Sequence, residues 1–300
     1  MHFSQQWSPE AFLDLISHYG HYGVPVFVFL SGYGLVVKYE NSNNSTPIGF
    51  QKFIKRHIEK LWLLLLPLLV PHFFFLGIKE PDYFQEHWLD FVLMVSFVGN
   101  LNPDSHIFHG PWWFFSLIVQ LYMIYYILVY RRTLKPITIL AVICLAAQAV
   151  AIGVFKDVDY LEYLRYNFVG SILPFALGIL AARKSFFPTN GISMATFMLF
   201  FVCCLNAYSW LLTFGLITIA VLPIMRLIQL NRVTYISLKW LGIISSFLFV
   251  THPIVRSCIF GLSEYSLSLS IIGYTILSVL FAWGYMKFLL WGKQHVIQQM

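Results

Sequence analysis

The sequence predicts an all-α, polytopic integral membrane protein, and three observations carry that expectation. Hydrophobic residues make up 59% of the chain and aromatic residues 18%. Charged residues make up 11% of its 300 residues, less than half of the roughly 25% usual in soluble domains. Apolar runs recur along the whole length with only short polar breaks, and the mean hydropathy is +0.73. One membrane domain over 1–300 is therefore expected, with an N-terminal segment 1–21 on the outer side, a transmembrane bundle 22–291 and a cytoplasmic tail 292–300. The net charge of +6 is then mainly topological, because Lys and Arg collect in particular loops, as retention on the cytoplasmic side predicts. No arginine-rich stripe suits nucleic acid. Cys144, Cys203, Cys204 and Cys258 all lie inside apolar runs without metal or disulfide spacing and read as packing residues.

The segment 1–22 is too polar to span a bilayer and lacks both the basic start and the apolar core of a signal peptide. The uncharged run 24–37, extended to Tyr22 and Tyr39, gives about 18 residues, close to the roughly 20 that cross a hydrocarbon core. At its centre Ser31, Gly32, Tyr33 and Gly34 allow close approach by a neighbouring helix or a ligand; for any single glycine, helix packing is the commoner use. Lys38, Lys52, Lys55, Arg56 and Lys60 then surround a polar turn and place it in the cytoplasm. Residues 61–78 return across the membrane despite Pro67 and Pro71, which neighbouring helices can accommodate. Residues 89–98 are only about half a span and are expected at the interface or as a re-entrant segment.

Further spans follow over 112–130, 136–155 and 168–182, with Arg131, Arg132, Lys135, Arg183 and Lys184 on the basic side and 156–167 outside. The run 192–225 would be roughly 50 Å long as one helix, too long for a core of about 30 Å, so a hairpin turning near Asn206 and Ser209 is required. Spans over 240–262 and 267–291 complete a set of about nine, with the C-terminus inside. That odd number leads to the expectation that a first helix precedes the sequence.

Ionisable groups inside spans are functional candidates by default. His252 lies about 18 Å into its span, Pro253 follows it, and Arg256 shares its face four residues on. A neutral histidine bonded to a neighbouring helix, with Arg256 snorkelling outward, is an equally good reading. His18, His21, His106 and His109 all fall in outer loops without a metal-ligand motif. Arg56 and Lys60, also four apart on a helix expected to start at the cytoplasmic face, can hold an anionic ligand such as a phosphate or anchor lipid headgroups. Trp112 and Trp113 open their span as an interfacial belt does.

Taken in order, several stretches resemble one family. GVPVFVFLSGYGL is similar to the second-helix signature of the acyltransferase 3 family of integral membrane acyltransferases, and FIKRHIEKLWLLLLP to its basic segment entering the third helix. PWWFFSLIVQLYMIYYI resembles the family's Trp-Phe helix and FLFVTHPIV its late His-Pro helix. The resemblance implies about ten helices and transfer of an acyl group, often acetyl from acyl-CoA, to a hydroxyl of a sugar, cell-envelope polymer or small molecule at the plasma membrane. It also implies a catalytic histidine near the outer end of the first helix, preceded by an arginine. His2 matches that histidine; the arginine has no counterpart here. Two smaller departures are Arg56, His57, Glu59 and Lys60 where the family favours paired arginines, and Gln120 where many members carry Glu.

The expected function is that of a membrane O-acyltransferase with His2 as general base. Arg56 and Lys60 hold the donor's phosphates, Ser31, Gly32 and Tyr33 line the passage for its pantetheine arm, and His252, Arg256 and Trp113 are further candidates. Acyl-CoA is the donor substrate, a hydroxyl-bearing sugar or glycolipid the acceptor, and no tightly bound cofactor or metal is expected. The alternatives are a catalytically inactive relative and a permease for a small solute.

Overall fold

The structure, a computed structural model, describes residues 22–40, 47–80, 82–101, 112–154, 158–206, 208–227, 232–259 and 267–298. His2, His18, His21, His106 and His109 lie outside the described residues. Among the described residues every regular element is helical. They are α1 (Gly23–Tyr39), α2 (Phe50–Lys79), α3 (Tyr83–Val95), α4 (Trp113–Ile124, running on into a π turn, Tyr125–Val129), α5 (Lys135–Val154), α6 (Val158–Arg165), α7 (Phe168–Lys184), α8 (Asn190–Cys204), α9 (Thr213–Leu227), α10 (Arg232–Ile259) and α11 (Leu267–Gln298). By length and composition five stretches can cross a membrane: α2, α5, Tyr163–Lys184, Tyr235–Arg256 and Ile271–Gly292. Four shorter apolar helices, Gly23–Tyr39, Trp113–Val129, Asn190–Cys204 and Ser209–Pro223, occupy the other expected spans. The chain is an all-α polytopic membrane protein.

α7 is the central helix, with 67% of its spanning stretch buried against 22% to 28% for the other four long stretches. Its sequence explains why. Gly170, Ser171, Ala176, Gly178 and Ala181 are all buried on it, so neighbouring backbones can approach closely, which is how membrane helices gain packing energy without a hydrophobic driving force between them. The tightest contact is with α1 and is reciprocal: a Cβ on Gly32 would run into the carbonyl of Phe175, and a Cβ on Gly178 into the carbonyl of Phe29. Those obstacles are backbone and cannot swing aside. Gly178→Ala is therefore expected to destabilise the folded protein by about 1–3 kcal/mol. Gly34→Ala, whose Cβ would meet nothing within 4 Å, should not. Thermal unfolding of both variants in detergent checks this; equal midpoints would remove the contact from the account.

The ends of the helices follow local rules. Asn167 accepts from the Val169 N–H at 2.9 Å and caps α7, while Arg183 and Lys184 occupy its last turn, where cations suit the helix dipole. The expected hairpin turns at the expected place: α8 ends at Cys204, Asn206 accepts from the Tyr208 N–H at 2.8 Å, and a 3-10 turn, Ser209–Leu212, leads into α9. Two boundaries differ from the sequence expectation. The helix expected under Arg56 and Lys60 starts earlier, at Phe50, and takes in residues read as charged loop; in its first turns Lys55 and Glu59 meet at 3.6 Å as an i,i+4 pair. The segment read simply as outer loop forms α6, and its Arg165 is fully buried, with its guanidinium 3.4 Å from the Trp210 ring centroid and 4.2 Å from that of Phe214. Aromatic faces attract a cation, which is what lets the bundle take this one in.

The half-span becomes α3, which packs along α2 through stacked Phe73 and Phe91 (4.2 Å) and a bond from the Trp62 indole to the Val95 carbonyl (2.8 Å). The chain then reverses at Phe97, with φ 57°, into the turn Gly99–Leu101. Asn100 of that turn is buried, donates to the Tyr166 carbonyl (3.0 Å) and accepts from Gln120 Nε2 (2.7 Å). Gln120 Oε1 accepts from the Phe168 N–H (3.3 Å), so this side chain ties the turn, α4 and the start of α7 together.

Candidate active site

The basic end of the bundle is built by α1, α2, α4 and α7. Arg56 and Lys60 are exposed on the first turns of α2, where the i,i+4 spacing puts them on one face. His57, between them in sequence, turns inward: its Nε2 lies 2.9 Å from the Tyr39 hydroxyl, and its ring sits 4.6 Å from those of both Phe53 and Tyr122. Beside it Glu40 and Arg183 form a bidentate pair, Nε to Oε2 at 2.6 Å and Nη2 to Oε1 at 2.8 Å, with side chains only 15% and 14% exposed. Tyr125 donates to the same carboxylate at 2.7 Å, and Arg183 also donates to the Val129 and Arg132 carbonyls, each at 2.8 Å. The guanidinium thereby supplies donors to carbonyls at the end of the π turn, where the helical pattern stops providing them.

From this end a cavity of about 130 Å³ runs into the bundle. α1 contributes Phe27 and Ser31 to its wall, and α2 contributes Leu61 and Leu64. α4 adds Phe114, Phe115, Ile118 and Tyr122, and α10 adds Ser245, Ser246 and Phe249. Leu61 directly follows Lys60, and Tyr122 touches His57, so the cations and the cavity adjoin. Its polar lining groups are all hydroxyls. The arrangement suits an amphipathic ligand that leaves anionic groups at the basic end and sends a narrow, mostly apolar part between the helices.

Of the residues singled out in the sequence, Ser31 lines the cavity, its Oγ donating to the Phe27 carbonyl at 2.8 Å. Gly32 does not: it is enclosed by Phe175, so its lack of a side chain serves the contact between α1 and α7 rather than a passage. Tyr33 is 40% exposed and stacks on Phe29 at 6.3 Å, away from the cavity wall. Trp113 packs on Tyr166 at 4.4 Å, beside rather than within the cavity. Its neighbour Trp112 is buried and donates from Nε1 to the Val250 carbonyl at 3.0 Å, joining α4 to α10. His252 is half-buried, with Nδ1 3.0 Å from the Leu248 carbonyl and its ring 6.1 Å from that of Phe249. Arg256, also half-buried, follows one turn further from the cavity.

Sequence reasoning missed Glu40, His57, Tyr122 and the serine pair of α10 as parts of the site. A lone acid at the basic end of a span was the one available sign for Glu40. The hydroxyl groups sit in apolar runs where they are unremarkable. A family model described as an acyltransferase domain matches residues 1–287. No curated protein and no solved structure matches the chain.

Proposed function

This chain belongs to the acyltransferase 3 family of membrane O-acyltransferases, and we propose that it moves an acyl group, acetyl in the first instance, from acyl-CoA to a hydroxyl of a carbohydrate or other cell-envelope acceptor at the plasma membrane. The observation that carries the donor reading is the adjacency of the exposed Arg56 and Lys60 to a mostly apolar cavity of about 130 Å³. Two cations one helical turn apart suit the phosphates of CoA, and a slot beginning at Leu61 suits its thioester arm. With the basic loops in the cytoplasm, as their charge bias predicts, the donor is drawn from the compartment that holds acyl-CoA.

In the reaction His2 removes the proton of the acceptor hydroxyl as its oxygen attacks the thioester carbonyl. The new C–O bond forms, the C–S bond breaks, and the CoA sulfur leaves with a proton. A histidine suits this role because its ordinary pKa lies near neutrality. Ser31 borders the path of the donor; Gly32 and Tyr33 act only through the packing of α1.

Cells with and without the chain should differ in the mild-alkali-labile acyl ester content of their envelope carbohydrate, and identical ester content would overturn the acceptor class. Arg56→Ala and Lys60→Ala should each weaken acetyl-CoA binding by about 1.5–3 kcal/mol, tenfold or more, with little change in thermal stability because both side chains are exposed. Donor affinity equal to that of the parent in both variants would leave these cations as lipid anchors.

A further inference from the structure

Beyond the cavity, on the side away from Arg56 and Lys60, three of the helices that wall it carry a common layer of side chains. α2 leads away from the basic end: Leu61 and Leu64 line the cavity, and His72 lies about 12 Å past Leu64 at helical rise. On α10 His252 comes about 4.5 Å after the cavity-lining Phe249. On α4 Trp112 stands at the N-terminal end, one turn before the cavity-lining Phe115. Contacts put these positions at one level. The His72 ring meets the Trp112 ring edge to face, with centroids 5.8 Å apart. The Trp112 indole N–H donates to the carbonyl of Val250 at 3.0 Å, and His252 is the second residue after Val250.

The two imidazoles are held differently. His252 has its Nδ1 3.0 Å from the Leu248 carbonyl of its own helix. His72 is half-buried, and among the described residues its imidazole has the Trp112 ring as a neighbour but no hydrogen-bond partner. Within a span such a group is costly unless something satisfies its N–H and its lone pair. A neutral imidazole offers one donor and one acceptor, and a hydroxyl group can answer either.

We propose that this layer is the acceptor subsite and that His72 binds a hydroxyl of the acceptor there. The proposal rests on the O-acyltransferase reading above and adds where the acceptor sits. The cavity brings the thioester from the basic end. The layer receives a hydroxyl compound from the opposite side, where the charge bias of the loops places the segment 1–21 that carries His2. The acceptor oxygen is then held between the acyl donor and the base. His72 binds and orients; the proton still passes to His2. Trp112, tied to α10 and packed on His72, keeps α2 and α10 in register around the subsite.

The test follows acetyl transfer by the full chain in lipid nanodiscs, from labelled acetyl-CoA to carbohydrate extracted from the cell envelope, as the carbohydrate concentration is varied. His72→Phe keeps a ring against Trp112 and removes both hydrogen-bonding atoms. It should raise the carbohydrate concentration needed for half-maximal rate by about threefold to tenfold, the worth of a neutral hydrogen bond, while leaving acetyl-CoA affinity unchanged, which also shows that the variant is folded. His72→Gln keeps a donor and an acceptor and should recover part of that loss. Should His72→Phe need no more carbohydrate than the parent, or lose maximal rate alone, the subsite is overturned while the acyltransferase reading stands; an imidazole that only packs on Trp112 or meets a lipid carbonyl gives this result. A parent that binds acetyl-CoA but acetylates no carbohydrate overturns the acceptor reading and the subsite with it.

Discussion

Replacing His2 by alanine is expected to slow acyl transfer by about a hundredfold to ten-thousandfold, the usual contribution of a positioned general base. A hydroxyl is a poor nucleophile until its proton is removed, and the base must come within about 2.6–3.2 Å of it. The described residues lining the cavity include no histidine and no acid, and the nearest imidazole described beside it is that of His57, against Tyr122. His2 holds the position that the family resemblance gives to the catalytic histidine. His18→Ala and His21→Ala should have much smaller effects, because neither matches the family's catalytic histidine in the resemblance. Rates are compared at equal amounts of folded protein and saturating donor. Transfer as fast in His2→Ala as in the parent would reject the assignment and make His252, about one turn beyond the cavity-lining Phe249, the next residue to replace.

The second large effect concerns stability. Arg183→Met leaves Glu40 in a nearly buried position with Tyr125 as its remaining side-chain donor among the bonds described above, and removing one partner of such a pair costs about 3–5 kcal/mol. It also removes the donors to the Val129 and Arg132 carbonyls. Glu40→Leu leaves the guanidinium with those two carbonyls and should cost less. The double variant should be more stable than the sum of the single losses predicts, because no buried charge is then left without its counterion; a double-mutant cycle on thermal unfolding reads that coupling. Strict additivity would mean that the two side chains do not act on one another.

How far the sequence could be read follows from the range over which each feature is encoded. The spans were legible because hydropathy and rise per residue are local quantities, and the hairpin near Asn206 followed from length alone. The helix under Arg56 and Lys60 was legible from their i,i+4 spacing, but its start at Phe50 was not, because the polar and charged residues before Arg56 look like loop. Arg165 was placed outside because a charge in a polar stretch ordinarily stays in water, and the rings that enclose it come from elsewhere in the chain. The site was legible only in part. Arg56, Lys60 and Ser31 are marked by local charge or by a local motif, whereas Glu40 and Arg183 lie 143 residues apart and show their relation only in the folded chain. The cavity wall is drawn from four helices, and a serine or phenylalanine within an apolar run carries no sign of facing a cavity. Gly32 was legible as a place of close approach; what approaches it, the Phe175 carbonyl, was not.

The most direct measurement uses the purified chain in nanodiscs with acetyl-CoA labelled in the acetyl group and carbohydrate extracted from the cell envelope. Membership of the acyltransferase 3 family and a cation-flanked cavity predict that free CoA thiol and mild-alkali-labile label on the carbohydrate accumulate together, one for one, and that both fall when Arg56 and Lys60 are replaced. Thiol release without ester formation, or an ester yield that is the same with and without the chain, would contradict the account.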